Sequence, residues 1–147
     1  MTQTADGTLL QTGTLARHCG VSADTIRHYE RLGVIQPALR GANGYRGYPE
    51  AAVDRVRVVR RALTLGFTLA ELARILRQRD SGRPPCQEVR ALAVRKLENL
   101  DQRLTELHAL RETLARTVAS WDARLAGTSE GQPAGLLDSL IQRGTKE

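Results

Sequence analysis

The sequence has few cysteines, few aromatic residues and no long hydrophobic run. Cys19 and Cys86 are the only cysteines among 147 residues, too few for a disulfide framework, so we expect a reducing, cytoplasmic setting. Aromatic residues make up 3% of the chain, which leaves an aliphatic core. No run approaches the roughly 18 apolar residues of a membrane span, and residues 1–7 lack the pattern of a signal peptide.

Sequence motifs of enzymes are also missing. There is no glycine-rich phosphate loop, no cluster of carboxylates, no plausible Cys–His pair and no metal-ligand spacing. We therefore do not expect an enzyme.

Positive charge is concentrated in the first half of the chain. Residues 1–80 contain 12 Arg against 7 Asp or Glu, whereas residues 81–147 contain 10 basic and 9 acidic side chains. This distribution indicates that the basic N-terminal half binds nucleic acid and that the nearly neutral C-terminal half has a different role.

Two short helices joined by a glycine-containing turn are predicted near the N-terminus. Leu15 and Cys19 share one face of the first helix, which runs from Thr14 to Cys19, and Gly20 breaks it. Ser22 is a suitable N-cap for a second helix that extends to about Leu32. This arrangement is typical of a helix-turn-helix.

A basic hairpin is predicted after the second helix. Asn43-Gly44 is a strong hairpin signal because both positions tolerate positive φ. Arg40 lies on one arm and Tyr45-Arg46 on the other. A short basic hairpin beside a helix-turn-helix is typical of a wing that grips the DNA backbone.

Two further helices follow the hairpin. The first runs from about Glu50 to Leu65, with valines at core spacing. The second starts after Thr68, which forms a capping box with Glu71.

A much longer helix is predicted from about Cys86 to Leu125. An apolar seam repeats along it in alternate steps of four and three, through Ala93, Leu97, Leu100, Leu104, Leu107, Arg111, Leu114, Val118, Trp121 and Leu125. Forty helical residues span roughly 60 Å, too long for the stripe to be buried on the preceding domain. We therefore expect a coiled-coil homodimer, with the direction of the pair left open and Arg111 fixing the register or pairing with an acid across the seam.

Three segments of the chain together resemble the MerR family of bacterial transcription regulators. They are LARHCGVSADTIRHYERLGVI, the wing GANGYRGY, and RRALTLGFTLAELARIL, within about residues 10 to 78. The resemblance implies a mainly α protein with a winged helix-turn-helix DNA-binding domain at 8–80. A dimerisation helix at 86–125 and an effector-site loop, short helix and tail at 126–147 would follow, with Leu136, Leu137, Leu140 and Ile141 forming the stripe of the short helix.

The family's mode of action implies further partners. A dimer of this kind binds an inverted-repeat operator in double-stranded promoter DNA whose two recognition elements are too far apart for RNA polymerase. The activated dimer bends and untwists that DNA, at a cost on the order of a few kcal/mol that contacts along the groove offset.

The resemblance also indicates which residues would contact DNA, from their positions in the family's motifs. The resemblance implies contacts from the second helix, the wing and the third helix, namely Arg27, Tyr29, Arg40, Tyr45, Arg46 and Arg60. Thr25 and His28 are candidates to reach base edges. Tyr29 has an alternative role as a core residue that packs its helix.

The expected sensing residue is Cys86. In metal-sensing relatives, two thiolates of the C-terminal loop enclose the metal together with a cysteine at the start of the partner's long helix. Cys86 matches that helix-start cysteine, but Trp121 and Glu130 stand at or near the other two positions. A lone thiolate is a poor site for zinc, lead or mercury.

Cys86 nonetheless follows Pro84-Pro85 at a helix start, where the helix dipole and Arg83 favour the thiolate. We therefore expect Cys86 either to bind a soft divalent metal ion or to react with thiol-reactive species. The alternatives are a regulator that responds to a non-thiol small ligand and an architectural DNA-binding protein without an effector.

Overall fold

The computed structural model describes residues 8–141, and over that range the protein is mainly α-helical. Residues 1–7, where no signal peptide is expected, and 142–147, the end of the expected tail, lie outside the described residues. The elements are α1 Thr12–Cys19, α2 Ala23–Leu32, β1 Leu39–Arg40, β2 Arg46–Gly47, α3 Ala51–Thr64, α4 Leu69–Asp80, α5 Cys86–Ala126 and α6 Asp138–Ile141. The predicted order of helix-turn-helix, wing, long helix and short final helix is confirmed.

The helix-turn-helix is formed by α1 and α2. Gly20 ends α1 with a φ of 64°, and its amide donates to carbonyls in the last turn of α1. Ser22 caps α2, since its hydroxyl accepts from the amide of Thr25 at 3.1 Å. The first helix begins at Thr12 rather than at the predicted Thr14.

The aliphatic core lies among the helices of the N-terminal part. Its most deeply buried side chains come from α1, α2 and α3 and from the segments that follow α2 and β2. They include Leu15, Ile26, Val34, Ile35, Tyr48, Val56 and Val59. Contacts group residues up to Lys96 into one compact unit and residues from Leu97 into a second. The first unit therefore includes the first turns of α5.

The starts of α3 and α4 have different local causes. The α3 helix begins at Ala51, after Pro49, whose carbonyl accepts from the amide of Ala52 at 2.9 Å. At the start of α4 the predicted capping box is confirmed, because Thr68 accepts from the amide of Glu71 at 3.2 Å and Glu71 accepts from the amide of Thr68 at 2.9 Å.

The wing is a small antiparallel sheet whose turn differs from the predicted one. Gly44 has a φ of 80°, but Asn43 does not have positive φ. The amide of Gly44 donates to the carbonyl of Gly41, and Asn43 instead accepts from the amide of Tyr45 at 3.2 Å through its side chain. This is the pattern of a three-residue loop in which glycine alone takes the left-handed position.

A third stretch of backbone joins the wing. Leu10 and Tyr48 form an antiparallel bridge through two hydrogen bonds of 2.7 and 2.8 Å. The preceding residue, Leu9, lies against Gly47, where an added Cβ would come within 2.7 Å of the Leu9 Cβ. The chain before α1 therefore packs against the second strand of the wing.

The C-terminal end is less regular than predicted. The final helix α6 is a single turn that begins only at Asp138, so Leu136 and Leu137 precede it. Leu137, Leu140 and Ile141 are exposed, and the predicted apolar stripe is not buried within one chain. Among the described residues, no helix combines the length and the hydropathy that crossing a membrane requires.

Candidate nucleic-acid interface and sensing region

The outward face of α2 carries three of the predicted DNA-contacting residues. Arg27 and His28 are exposed and Thr25 is half-buried near the capped end of the helix. The Arg27 guanidinium pairs with Asp24 at 2.7 Å, and His28 lies 3.4 Å from the guanidinium of Arg31. These side chains are free to turn toward a ligand because both pairs lie on the surface.

Tyr29 lies on the buried side of α2, away from Arg27. Its side chain is 5% exposed and packs in the core with Ile26, three residues earlier. The structure therefore shows Tyr29 in its alternative role, as a core residue that packs α2. Its burial does not support a direct contact with DNA.

The wing presents two arginines and a tyrosine to solvent. Arg40 and Arg46 are directly opposite each other in the two strands, and the side chain of Tyr45 is 71% exposed. Two like charges at opposed positions destabilise a strand pair. A phosphate group between them would relieve that repulsion.

Arg60 joins α3 to the helix-turn-helix. Its guanidinium donates to the carbonyl of Cys19, the last residue of α1. Since a guanidinium has five N–H donors in total, this hydrogen bond leaves others for a phosphate.

Glu30, on α2, was missed by the sequence interpretation. Its carboxylate accepts hydrogen bonds from the amide of Ala38 at 3.3 Å, from the Arg46 guanidinium at 3.2 Å and from the hydroxyl of Tyr48. These partners lie 8 to 18 residues further along the chain, beyond the range of any helical spacing. No local pattern in the sequence could have identified them.

Tyr48 contributes a protonated donor to this cluster. Its ring is buried, and burial together with the hydrogen bond to Glu30 raises the pKa of the Tyr48 phenol to about 12. The hydroxyl therefore keeps its proton at any physiological pH.

The long helix exposes the residues predicted for dimerisation. Six of them are between 44% and 60% exposed, namely Leu97, Leu100, Leu104, Leu107, Leu114 and Val118. Leu110 is 62% exposed and is spaced three residues from Leu107 and four from Leu114. The apolar stripe therefore continues through Leu110 beside Arg111, whose guanidinium pairs with Glu112 at 2.9 Å.

The N-terminal part of α5 is attached to the first turn of α4 by an ion pair. Lys96 bonds the Glu71 carboxylate at 2.8 Å and lies 5.4 Å from the centre of the Phe67 ring. Leu92 is buried. The hydrogen bond from Lys96 and the backbone bond at Thr68 lower the pKa of the Glu71 carboxyl. Glu71 therefore both caps α4 and binds Lys96 in the N-terminal part of α5.

Cys86 is exposed at the first position of α5. Hydrogen bonding of the helix begins one residue earlier, where the Pro85 carbonyl accepts from the amide of Val89 at 2.9 Å. In residues 8–141 no group of three or more His, Cys, Asp or Glu side chains could hold a metal ion. The described residues of one chain therefore do not by themselves assemble a soft-metal site.

The other cysteine is in the core. Cys19 is 4% exposed, its thiol lies 3.8 Å from the carbonyl of Val53, and burial raises the pKa of this thiol. It has the properties of a small buried apolar residue.

Trp121 attaches the C-terminal segment to the end of α5. Its indole N–H donates to the hydroxyl of Ser139 at 3.0 Å, and that hydroxyl donates to the carbonyl of Leu136. The Trp121 indole, at a position where a cysteine would be expected in a metal-sensing relative, therefore anchors the C-terminal loop by hydrogen bonding.

A groove of about 410 Å³ lies in the N-terminal unit between α3, α4 and the segment after α2. Asp80 in its wall accepts from Arg55 at 2.6 and 2.8 Å and from Gln36 at 2.7 Å. The hydrogen bond from Arg55 holds the pKa of the Asp80 carboxyl below its usual range. Because these polar groups bond to each other, they tie α3 to α4.

Two family descriptions match the chain. Residues 10–79 match "MerR HTH family regulatory protein", and residues 53–117 match "MerR, DNA binding".

Similar proteins are known by sequence and by structure. The mercuric resistance operon regulatory protein of Bacillus cereus is 36% identical over 102 residues, which cover 69% of this chain and 77% of that protein. A transcription regulator of Ralstonia metallidurans, solved in complex with lead(II), is 27% identical with a TM-score of 0.73, covering 90% of this chain and 99% of that one. HiNmlR, a regulator without a sensor domain that was solved on promoter DNA, is 20% identical with a TM-score of 0.53 and shares the fold, covering 81% of this chain and 94% of that one.

Proposed function

The chain belongs to the MerR family of DNA-binding transcription regulators, which are not enzymes, and we propose that it activates transcription as a homodimer on an inverted-repeat operator. In this proposal the dimer distorts promoter DNA so that RNA polymerase can use it. The signal is received by the Cys86 thiol, as a thiol-reactive species or a soft metal ion.

The observation that carries the proposal is the basic surface of the first unit. Exposed cationic side chains come from α2, the wing and α3, as Arg27, Arg40, Arg46 and Arg60. Side chains of this type supply most phosphate contacts, while Thr25 and His28 on α2 are candidates for base edges. The promoter DNA bound to HiNmlR supports a role of this kind for the same fold.

The exposed stripe of α5 supports a second copy of the chain as partner. A row of half-exposed leucines over several heptads is typical of a coiled-coil seam. A dimer with two-fold symmetry presents its two copies of α2, the proposed recognition helix, in equivalent positions. Its operator is therefore expected to be an inverted repeat.

Two observations bear on the signal. Relatives are named for mercuric resistance, and one was solved with lead(II), which favours a thiol-dependent response. Within the described residues of one chain, no group of three or more His, Cys, Asp or Glu side chains could hold a metal ion. Reaction of the Cys86 thiol with an electrophile or oxidant, which needs no further ligands, therefore fits these residues better than metal binding. The alternatives are a response to a non-thiol ligand and a protein without an effector.

The test is transcription from the target promoter by the full-length protein with RNA polymerase. Wild type and Cys86→Ser are challenged in parallel with divalent metals, aldehydes and oxidants, and Cys19→Ala serves as the matched cysteine control. We expect induction in wild type and Cys19→Ala, little change in DNA affinity, and no induction in Cys86→Ser. An equal response of Cys86→Ser to the same inducer would exclude Cys86 and indicate a non-thiol ligand.

A further inference from the structure

The wing is too small to hold its orientation without outside support. Each strand has two residues, and an isolated two-stranded hairpin is at best marginally stable in water. Its one pair of opposed cations, Arg40 and Arg46, adds repulsion. Something outside the hairpin must therefore determine where these arginines point.

Glu30 is placed to do this from the recognition helix. One oxygen of its carboxylate accepts from both the Ala38 amide, just before the wing, and the Arg46 guanidinium, on the second strand. The other oxygen accepts from the hydroxyl of Tyr48, just after the wing. Donors before, within and after the hairpin thus converge on a single side chain of α2.

The environment of Glu30 makes these hydrogen bonds effective. Its side chain is 21% exposed, so water competes weakly for its oxygens, and Tyr48 is anchored by a buried ring. Arg46 stays 60% exposed and is bonded to Glu30 through one nitrogen. It therefore keeps other N–H donors for a phosphate.

We propose that Glu30 is a positioning residue for DNA binding: it fixes the wing relative to the recognition helix and aims Arg46 at the DNA backbone. The inference rests on the proposed phosphate contacts of the wing. It makes a prediction opposite to simple electrostatics, since removing a negative charge near DNA would otherwise strengthen binding.

The experiment measures affinity as a function of salt concentration. The full-length protein and its variants bind the duplex that wild type selects from a random pool, and each lost phosphate contact lowers the salt slope by about 0.9. Arg46→Ala should lower the slope by about one unit. Glu30→Ala should lower it by about two, because Arg40 and Arg46 both lose their orientation, and should weaken binding about 10- to 100-fold.

Three further variants keep the result interpretable. Glu30→Gln retains the size and one acceptor oxygen, and should restore most of the slope. Glu50→Ala removes the same charge from an exposed position after the wing, and should not lower the slope. Tyr48→Phe removes one donor but keeps the buried ring, so it reports on the wing should Glu30→Ala fail to fold, and it too should lower the slope.

The two ways of failing are distinguishable. If Arg46→Ala leaves the slope unchanged, the wing does not contact phosphate and the proposed contact is wrong. If Arg46→Ala lowers the slope but Glu30→Ala or Tyr48→Phe, correctly folded by circular dichroism, binds with the wild-type slope or more tightly, the positioning role of Glu30 is overturned.

Discussion

Replacing Leu104 and Leu107 by Asp should dissociate the dimer. These side chains are 48% and 60% exposed in one chain. Fully burying a leucine is worth about 1.5–3 kcal/mol, so covering the exposed half of one contributes about 1 kcal/mol. Two substitutions in each of two helices therefore remove about 4 kcal/mol.

This loss corresponds to about a thousandfold increase in the dimer Kd, since 1.4 kcal/mol is a factor of ten. The buried carboxylates add a desolvation cost on top. The substitution should therefore convert a dimer that is stable at micromolar concentration into a monomer, and operator binding should be lost with it.

The assay is sedimentation of the full-length protein at micromolar concentration. Wild type should sediment as two chains of 16.2 kDa each, and the double variant as one. Gln102→Asp with Ala109→Asp is the matched control, because it adds the same charges on the face of α5 opposite the seam. A monomeric wild type, or a double variant that stays dimeric, would refute the assignment of this seam.

Two further predictions concern the stability of the first unit. Gly47→Ala should lower the free energy of unfolding by about 1–3 kcal/mol, and the melting temperature with it, because the new Cβ would lie 2.7 Å from the Cβ of Leu9. At Gly13, in the first turn of α1, an added Cβ would meet no atom within 4 Å beyond the adjacent backbone, so Gly13→Ala should instead stabilise by up to about 0.5–1 kcal/mol. Equal effects of the two changes would refute the Leu9 contact. Asp80→Asn should destabilise by about 2 kcal/mol at pH 7, since it weakens charge-assisted hydrogen bonds from Arg55. Because Arg55 lowers the pKa of Asp80, its contribution is present above the unfolded pKa of about 4 and is lost as pH falls through the folded pKa. Denaturant unfolding of both proteins should therefore show their difference shrinking in acid, and a constant difference from pH 7 to pH 2 would contradict it.

Features that depend on neighbouring residues could be predicted from the sequence. The start of α4 depends on Thr68 and Glu71, three residues apart, and both capping bonds are present. The regular apolar seam predicts the long helix at 86–125, and the observed helix ends one residue later, at Ala126. For Tyr29 the sequence offered a DNA contact with core packing as the alternative, and its spacing of three residues from the buried Ile26 favours the core position that the structure shows.

Contacts between distant residues could not be predicted in this way. Glu30 meets Tyr48 across 18 residues, and Arg55 meets Asp80 across 25. Such pairs form only after the helices pack, and either acid by itself is typical of a solvated surface. The link between wing and recognition helix therefore needed the structure.

The most direct test of the account is the selection of binding sites from a random pool of DNA duplexes by the full-length protein. Because an exposed seam on α5 and a basic winged helix-turn-helix point to a two-fold symmetric dimer, the recovered sites should be inverted repeats. Each duplex should bind two protein chains. Recovery of single or directly repeated sites, or no enrichment over the starting pool, would contradict the proposal that this chain is a dimeric, sequence-specific regulator.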